Sequence, residues 1–352
     1  MSVARRCGVA GLTFFALAAL AAPVLAPNRP TDLFADRAYA PAMSVHVYDA
    51  RGWHAPFVYR QRLSVRLMKQ YADDTSAPLA LQWFTGGRLV TLAGGPGASG
   101  VAAGERDLPG AAAGEPLLLL GADALGRDVF SRLLYGARLS LGVTLLGAAG
   151  ALCIGVILGG LAGAIGGRVD AVLMLLADFV LVLPAVYLVL VLRAMLPLVL
   201  HAPAVFGLMS ALFALAAWPH VARGVRAVVA TERARDYAEA ARAAGATPWR
   251  VMWHLLPAAR GFLATECVLL IPALLAAETT ISFLGLGFPE GAPSWGTMLQ
   301  DAGNVRVMVE APWMLAPAAA LFLVVLSVQL IGGTGAPAQA LLVSRADSRP
   351  AA

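Results

Sequence analysis

Six long apolar runs constrain this chain more than any other feature of its sequence. A helix of roughly 20 predominantly apolar residues is long enough to cross the hydrocarbon core of a bilayer. The sequence therefore predicts an all-α polytopic membrane protein. We expect its six membrane-spanning helices at residues 8–26, 140–165, 171–191, 203–222, 262–286 and 311–331.

The composition agrees with a membrane location. Hydrophobic residues make up 59% of the 352 residues and charged residues only 13%, whereas an ordinary soluble domain carries about 25% charged residues. The formal net charge of +5 could suggest nucleic acid, but the arginines cluster beside the apolar runs, as the positive-inside rule predicts. We therefore expect contact with membrane lipid and no nucleic-acid partner.

Residues that could support catalysis or bind a metal are not grouped in the sequence. The three cysteines share no CxxC spacing, and the histidines have no partners at ligand spacing. The only lysine, Lys69, does not stand in the GxxxxGK[ST] pattern of a phosphate-binding loop. We expect no catalytic residue, no metal site and no cofactor bound by this chain.

The start of the chain allows two interpretations. Arg5 and Arg6 precede an apolar run that ends in Val24-Leu25-Ala26, a pattern typical of a cleaved signal peptide. The run has 19 uncharged residues, which is long for a signal peptide and suits an uncleaved first span. We favour the second interpretation, with residues 1–26 as a cytoplasmic tip and the first span.

Residues 27–119 have a different character from the apolar runs. The alternating segments SVHVYDA and LALQWFTGGRLVTL predict strands, and the Gly86-Gly87 pair predicts a hairpin turn. The following AGGPGASGVAAGERDLPGAAAGEP is rich in glycine, alanine and proline and predicts a flexible linker. We expect a small strand-containing domain outside the membrane.

The arginines also predict how the chain is oriented. From Arg223 to Arg260 there are seven arginines against three acidic residues, and short loops with such an excess lie in the cytoplasm. With six alternating spans, both termini are then cytoplasmic and the 27–119 insertion lies outside the cytoplasm. A core with five spans would follow at 120–335, and a cytoplasmic tail at 336–352.

The loop at residues 231–257 is strongly helix-forming. TERARDYAEAARAAG combines alanine with Glu and Arg, and Thr231 could cap its first turn. We expect Gly245 to end this helix. Thr247-Pro248 then predicts a second short helix, because proline at the first helical position loses no hydrogen bond.

Three stretches carry a resemblance to a known family. Glu239-Ala240-Ala241, Gly245 and Leu256-Pro257 resemble the EAA loop of ABC importer permeases. LGADALGRDVFSRLLYGARLSL at 120–141 and AETTISFLGLGFPEGAPSWGTML at 277–299 are similar to segments of C-type permease subunits of dipeptide and oligopeptide importers. The chain departs from that pattern at Ala122, in a coupling loop about one residue shorter, and in its tail.

The resemblance implies the type I ABC importer permease fold and a role for the loop. In such permeases the loop is a coupling helix that docks into a groove of a cytoplasmic ATPase. By position, the coupling residues would be Glu239, Ala240, Ala241, Arg242, Gly245, Trp249, Trp253, Leu256 and Pro257. The outer-face family motif would comprise Asp123, Gly126, Arg127, Asp128, Ser131, Arg132 and Trp295.

Several of these residues have alternative interpretations. Asp178 and Glu278 lie inside predicted spans, where an ionisable group is costly unless it faces protein or water. Each could line a pathway or form an interhelical contact. The charged run from Asp123 to Arg138 could be a solvated interfacial helix or make specific contacts, and Trp295 could lie in an interfacial aromatic belt or close the outer mouth.

The family also implies partners and a function. This chain would pair with a second permease, two ATPase subunits that use ATP and Mg²⁺, and a periplasmic solute-binding protein, in the bacterial inner membrane. The implied substrate is a dipeptide or oligopeptide, with nickel or another small solute as the alternative. A stand-alone secondary transporter would lead us to expect several mid-membrane carboxylates and repeat-related broken helices, and the spans offer essentially Asp178 alone. A structural assembly protein gives no reason for the coupling-loop pattern.

Overall fold

The computed structural model describes residues 2–49, 52–65, 69–85, 87–92, 115–182, 201–289 and 291–333. Its helices, in chain order, are α1 (Val3–Leu20), α2 (Ala22–Leu25), α3 (Val129–Ile165), α4 (Gly167–Val182), α5 (Ala202–Arg233), α6 (Asp236–Ala243), α7 (Pro248–Leu255), α8 (Arg260–Phe283), α9 (Trp295–Ala302), α10 (Val305–Glu310) and α11 (Ala316–Gly332). The strands are β1 (Val45–Asp49), β2 (Gly52–Val65), β3 (Gln70–Thr85) and β4 (Arg88–Leu92).

Five helical segments within the described residues are long and apolar enough to cross a membrane. They are Val3–Leu20, Val129–Ile165, Ala202–Arg233, Pro248–Phe283 and Pro312–Gly332. Each overlaps a predicted span, although α3 begins eleven residues before the predicted 140 and α5 continues eleven residues beyond 222. The differences arise because helical hydrogen bonding continues through polar residues that a search for apolar runs leaves out. The predicted third span begins in α4, and its residues 183–191 lie outside the described part.

The chain divides into two compact units, each described here by itself. The first contains the described parts of Met1–Leu12, Leu141–Ile281 and Val324–Ala352. The second contains Thr13–Ser140 and Ser282–Leu323.

Glycines control packing in the first unit. The part of α3 after Leu141 carries several glycines at its contacts with α5, so the two backbones lie close together there. A Cβ at Gly155 would collide with Val221, one at Gly159 with the Ala222 backbone, and one at Gly163 with Val229. Small residues of this kind are typical of helix interfaces in membranes, where close backbone approach gives the attraction.

The second unit contains a four-stranded antiparallel sheet in the order β1-β2-β3-β4. The predicted hairpin is confirmed, since β3 and β4 pair with Thr85 opposite Arg88, and Gly87 has a φ of +76°. One side of the sheet packs Val58 and Leu92 against Met43, Leu117 and Leu118 in a buried cluster. The predicted linker falls mostly at 93–114, and the predicted tail at 336–352, outside the described residues.

Sequence patterns missed half of this sheet. The whole of β2 and the first half of β3 are strands in the structure. β2 contains Pro56 and β3 contains Asp73, Asp74 and Pro78, so neither strand shows a clean alternation of apolar and polar residues. Pairing with neighbouring strands sets their conformation instead, with register shifts between Tyr59 and Arg60.

Candidate functional site

The predicted coupling loop forms two short helices joined by a tight turn. The helix α6 buries only Ala238, while Glu239, Ala240 and Arg242 are exposed and Ala241 is half-buried. The helix α7 follows, and a 3₁₀ turn at Leu256–Ala259 leads into α8. Leu256 in that turn is buried and Pro257 is exposed.

The predicted N-cap of the first loop helix was wrong. Thr231 lies inside α5, and its hydroxyl donates a hydrogen bond to the Ala227 carbonyl at 2.9 Å. A threonine that bonds back to the residue four positions earlier belongs to a continuing helix. The break comes at Ala234, and Arg235, without a side-chain cap bond, precedes α6.

The predicted turn at Gly245 is confirmed. Its φ is +83°, and its N–H donates to the Arg242 carbonyl at 2.9 Å while the Ala246 N–H donates to the Ala241 carbonyl at 3.1 Å. This pair of bonds is the Schellman motif, which strongly favours glycine because its φ is positive. The second helix also begins as predicted, since Thr247 accepts from the Arg250 N–H at 3.4 Å and Pro248 follows it.

The helix α7 has one buried face and one exposed face. Val251, Met252 and Leu255 are buried, whereas Trp249 and Trp253 are 48% and 53% exposed. The two indoles contact each other edge to face, with ring centroids 5.7 Å apart. Large aromatic side chains with this exposure offer the kind of area that is enriched in binding hot spots.

The buried face of α7 packs against α3, which belongs to the same unit. A Cβ at Gly160 of α3 would collide with the Met252 side chain, so that glycine provides the space into which Met252 packs. Arg242 braces the loop from its own side, because its Nη2 donates to the Arg233 carbonyl at 3.1 Å. A displacement of α7 would therefore press directly on α3.

The charged run that precedes and enters α3 is not a solvated surface. Asp123 is 1% exposed, and its Oδ1 accepts from the Leu125 and Arg127 amides, each at 2.9 Å. Its Oδ2 accepts from Arg127 Nε at 2.7 Å and from Arg132 Nη1. Both arginines also pair with Asp301, so specific contacts hold this part of the run, while Arg138 is exposed.

Gly126 closes the turn that makes this cluster possible. It has a φ of +75°, and a Cβ there would collide with the Phe34 carbonyl. Its N–H donates to the Asp123 carbonyl at 3.0 Å. The glycine thus brings Asp123 and Arg127 into hydrogen-bond range across four residues.

Asp128 belongs to a second buried group. It is fully buried and accepts from Asn28 Nδ2 at 3.0 Å and from the Ser131 hydroxyl at 2.5 Å. Burial raises the pKa of Asp128 to about 6, although the hydrogen bonds from Ser131, Asn28 and the Phe130 amide oppose the shift. The carboxylate fixes the segment around Asn28 to the start of α3.

Trp295 does not lie in an interfacial aromatic belt. Its side chain is fully buried, its amide donates to the Ser140 hydroxyl at 3.1 Å, and its indole N–H donates to the Leu133 carbonyl at 3.1 Å. Ser294 caps α9 through a reciprocal capping box with Thr297. Trp295 therefore fixes α9 against α3 within the second unit.

A family comparison identifies the chain. The sequence model of the family described as "Binding-protein-dependent transport system inner membrane component" matches residues 155–334, which include the whole coupling loop. The chain belongs to this family. It is a permease subunit of an ABC importer and a multipass membrane protein.

Similar proteins include three named permeases. The chain is 34% identical over 216 residues to the oligopeptide transport system permease protein OppC of Lactococcus lactis subsp. cremoris, covering 61% of this chain and 72% of the relative. It is 36% identical over 222 residues to the di/tripeptide permease DppC of Pseudomonas aeruginosa, with coverages of 62% and 70%. With the dipeptide permease DppC of Bacillus subtilis, the identity is 40% over 182 residues, with coverages of 51% and 55%.

The chain also aligns with a solved structure. That structure is an inward-facing conformation of the MetNI methionine ABC transporter, with 19% sequence identity and a TM-score of 0.47. The match covers 59% of this chain and 96% of that one.

Within the permease, the two ionisable residues of the predicted spans have different surroundings. Asp178 forms an ion pair with Arg223, and both side chains are about half exposed, at 52% and 50%. A second ion pair joins the same two helices, α4 and α5, since Asp170 pairs with Arg226 at 2.5 Å. This supports the interhelical interpretation of Asp178. Glu278 is fully buried in α8.

Sequence reasoning missed three residues of the permease that complete these groups. Asp301 supplies the second carboxylate of the cluster, and Asn28 supplies the amide that binds Asp128. Asp170 forms the second interhelical ion pair. None stands in a recognisable motif, and each partner is more than fifty positions away in the sequence, so no local signal could have identified them.

Proposed function

We propose that this chain is the permease subunit of an ATP-driven importer for di- or oligopeptides. The observation that carries this proposal is the naming of its relatives, since the oligopeptide, di/tripeptide and dipeptide permeases above are 34–40% identical to it. Nickel or another small solute is the alternative substrate, because a separate binding protein would determine most of the substrate specificity.

We propose six spans, with α4 as the start of the third. The arginine excess from Arg223 to Arg260 supports a cytoplasmic location of the 231–257 loop and of both termini. The strand-containing residues 27–119 are then periplasmic, 120–335 form the permease core and 336–352 a cytoplasmic tail. These assignments rest on the positive-inside rule and on the length of the apolar runs.

The coupling loop suggests how ATP hydrolysis would move the spans. Two ATPase subunits would hydrolyse ATP with Mg²⁺, and one of them would receive Trp249 and Trp253 in a groove. Because Met252 packs into the space at Gly160, closure of the ATPase pair would be transmitted from α7 to α3. A second permease would complete the translocation path, and a periplasmic binding protein would deliver the peptide. The two-state equilibrium of the spans would shift with each ATP cycle.

A pair of glycine substitutions tests this function. A Cβ would meet nothing within 4 Å at either Gly245 or Gly261, but only Gly245 has a positive φ. Gly245→Val should distort the turn, because a β-branched residue is strongly disfavoured there, whereas Gly261→Val keeps helical geometry. We expect Gly245→Val to lower peptide uptake and ATPase co-purification by at least about tenfold and Gly261→Val to leave both close to wild type.

The assay is uptake of a labelled dipeptide by proteoliposomes that contain all subunits, with Ni²⁺ uptake measured in parallel. Equal uptake by the two valine variants would contradict the docking role of the loop. Transport by the isolated chain, driven by a pH gradient and abolished by Asp178→Asn, would favour a secondary transporter instead.

A further inference from the structure

A cavity in the second unit lies directly against the buried charged cluster. It encloses about 380 Å³ and is lined by Arg127, Arg132 and Asp301 of the cluster, together with Leu125, Phe288 and Gln300. Binding sites for small molecules typically enclose roughly 300–1,000 Å³. The cavity is therefore large enough for a ligand of dipeptide size and too small for a folded element of another protein.

The arginines of this cavity hold more donors than the cluster uses. Two guanidinium groups carry ten N–H donors. Asp123 is already engaged by two backbone amides as well as by both arginines. Among the described residues, the side-chain hydrogen bonds from these arginines to Asp123 and Asp301 use Arg127 Nε, Arg127 Nη2 and Arg132 Nη1. The two guanidinium groups therefore keep further donors for an added acceptor at the wall of the cavity.

The charged residues beside the cavity indicate which charges a matching ligand would carry. Among the described residues, Arg127 and Arg132 are balanced by Asp123 and Asp301, so a lone anion would add an unmatched negative charge. Asp301 is the more accessible carboxylate, with a side chain 32% exposed against 2% for Asp123. A ligand that carries both a carboxylate and an ammonium group matches two arginines and one accessible carboxylate. Phe288 and Leu125 add apolar surface for side chains.

We propose that this cavity binds the free carboxylate of a short zwitterionic peptide through Arg127 and Arg132. The site differs from the coupling loop and depends on the proposed function only for the choice of a peptide as the carrier of the carboxylate. Planar guanidinium groups are suited to this task, because they bind carboxylates through paired hydrogen bonds. The permease would thus contact its substrate at a site of its own.

A matched pair of ligands tests the carboxylate. The full-length chain, purified with its associated subunits in lipid nanodiscs without binding protein, is titrated with L-alanyl-L-alanine and with its C-terminal amide in a calorimeter. We expect the amide to bind at least about tenfold more weakly, since it lacks the charge-assisted bonds. Equal affinities, or no binding of the dipeptide at millimolar concentration, would overturn the proposal.

A matched pair of variants locates the site without removing a charge. Leu125 is 52% exposed and lines the cavity, whereas Val305 is 74% exposed in α10 and does not. Leu125→Trp should weaken dipeptide binding by at least about tenfold by filling the cavity, and Val305→Trp should leave it unchanged. Unchanged binding in Leu125→Trp would rule out this cavity.

The two proposals can fail separately. Gly245→Val, which tests the coupling loop, should leave dipeptide binding in nanodiscs unchanged even where uptake is lost. Normal binding without any uptake defect in Gly245→Val would count against the coupling function alone. Lost uptake in Gly245→Val, together with equal binding of acid and amide, would overturn the cavity alone.

Discussion

The charged run from Asp123 to Arg138 and the coupling loop at 231–257 have similar local sequences and opposite environments. Both combine arginines with acidic residues beside an apolar helix. In the run, Asp123, Arg127 and Arg132 are at most 8% exposed, and the two arginines pair with Asp123 and Asp301. In the loop, Glu239, Arg242 and Arg250 are exposed. Charge near a span therefore indicates either a buried internal brace or an exposed polar surface, and only the tertiary structure distinguishes the two.

The largest effect should come from removing one buried arginine of the run. Arg132→Ala leaves Asp123 and Asp301 short of a partner, and breaking a buried ion pair typically costs about 3–5 kcal/mol. Arg138→Ala in the same helix and Arg250→Ala in the loop remove exposed arginines, so their effects should be small. Thermal unfolding in detergent, followed by tryptophan fluorescence, measures all three. Equal shifts in the three variants would contradict the comparison.

The pH dependence of stability should depend on Asp128. Its pKa is raised to about 6 in the folded chain, against about 3.9 for a free aspartate. The folded state therefore binds the proton of Asp128 more tightly than the unfolded state does. The resulting contribution to the free energy of unfolding is fully present below a pH of about 4 and is lost as the pH rises through about 6. The loss amounts to at most about 3 kcal/mol.

The variant Asp128→Asn should remove this pH dependence, because an amide does not titrate and still accepts one of the hydrogen bonds. Unfolding midpoints of both proteins at a series of pH values from 4 to about 8 provide the measurement. The same decline of stability in wild type and Asp128→Asn would show that another group is responsible.

Substitutions of the two exposed tryptophans of the loop should change stability little and should weaken association with the ATPase subunit more. Trp249→Ala and Trp253→Ala remove half-exposed side chains, so the unfolding temperature should change little. Retention of the ATPase subunit should fall by about tenfold, since aromatic side chains at hot spots contribute more than about 1 kcal/mol. Trp53→Ala in β2, whose side chain is 80% exposed, is the control. An equal loss of ATPase in the control would argue against docking at α7.

The smallest effect should come from an exposed ion pair with good geometry. Arg306 Nε donates to Glu310 Oε1 at 2.8 Å, and the side chains are 74% and 57% exposed. Surface pairs of this kind contribute little, because solvent screens the charges. Arg306→Ala should leave the unfolding temperature unchanged within error, in contrast to Arg132→Ala. A shift comparable to that of Arg132→Ala would mean that burial does not control the strength of these pairs.

The sequence alone determined the features that depend on neighbouring residues. Apolar runs located the five spans within the described residues, and the Schellman turn at Gly245 and the cap at Thr247 followed from local rules. The hairpin at Gly87 also followed from a local rule. These rules worked because each depends on a φ angle, a missing N–H or a hydrogen bond within a few positions.

The tertiary structure decided which charges are buried. Arg127 meets Asp301 across 174 positions, and Asn28 meets Asp128 across 100. The end of α5 was also misplaced by sequence reasoning, because Thr231 is as compatible with a helix interior as with a cap. Desolvation and ion pairing depend on residues that only the folded chain brings together, so no local pattern could distinguish the buried brace from the exposed loop.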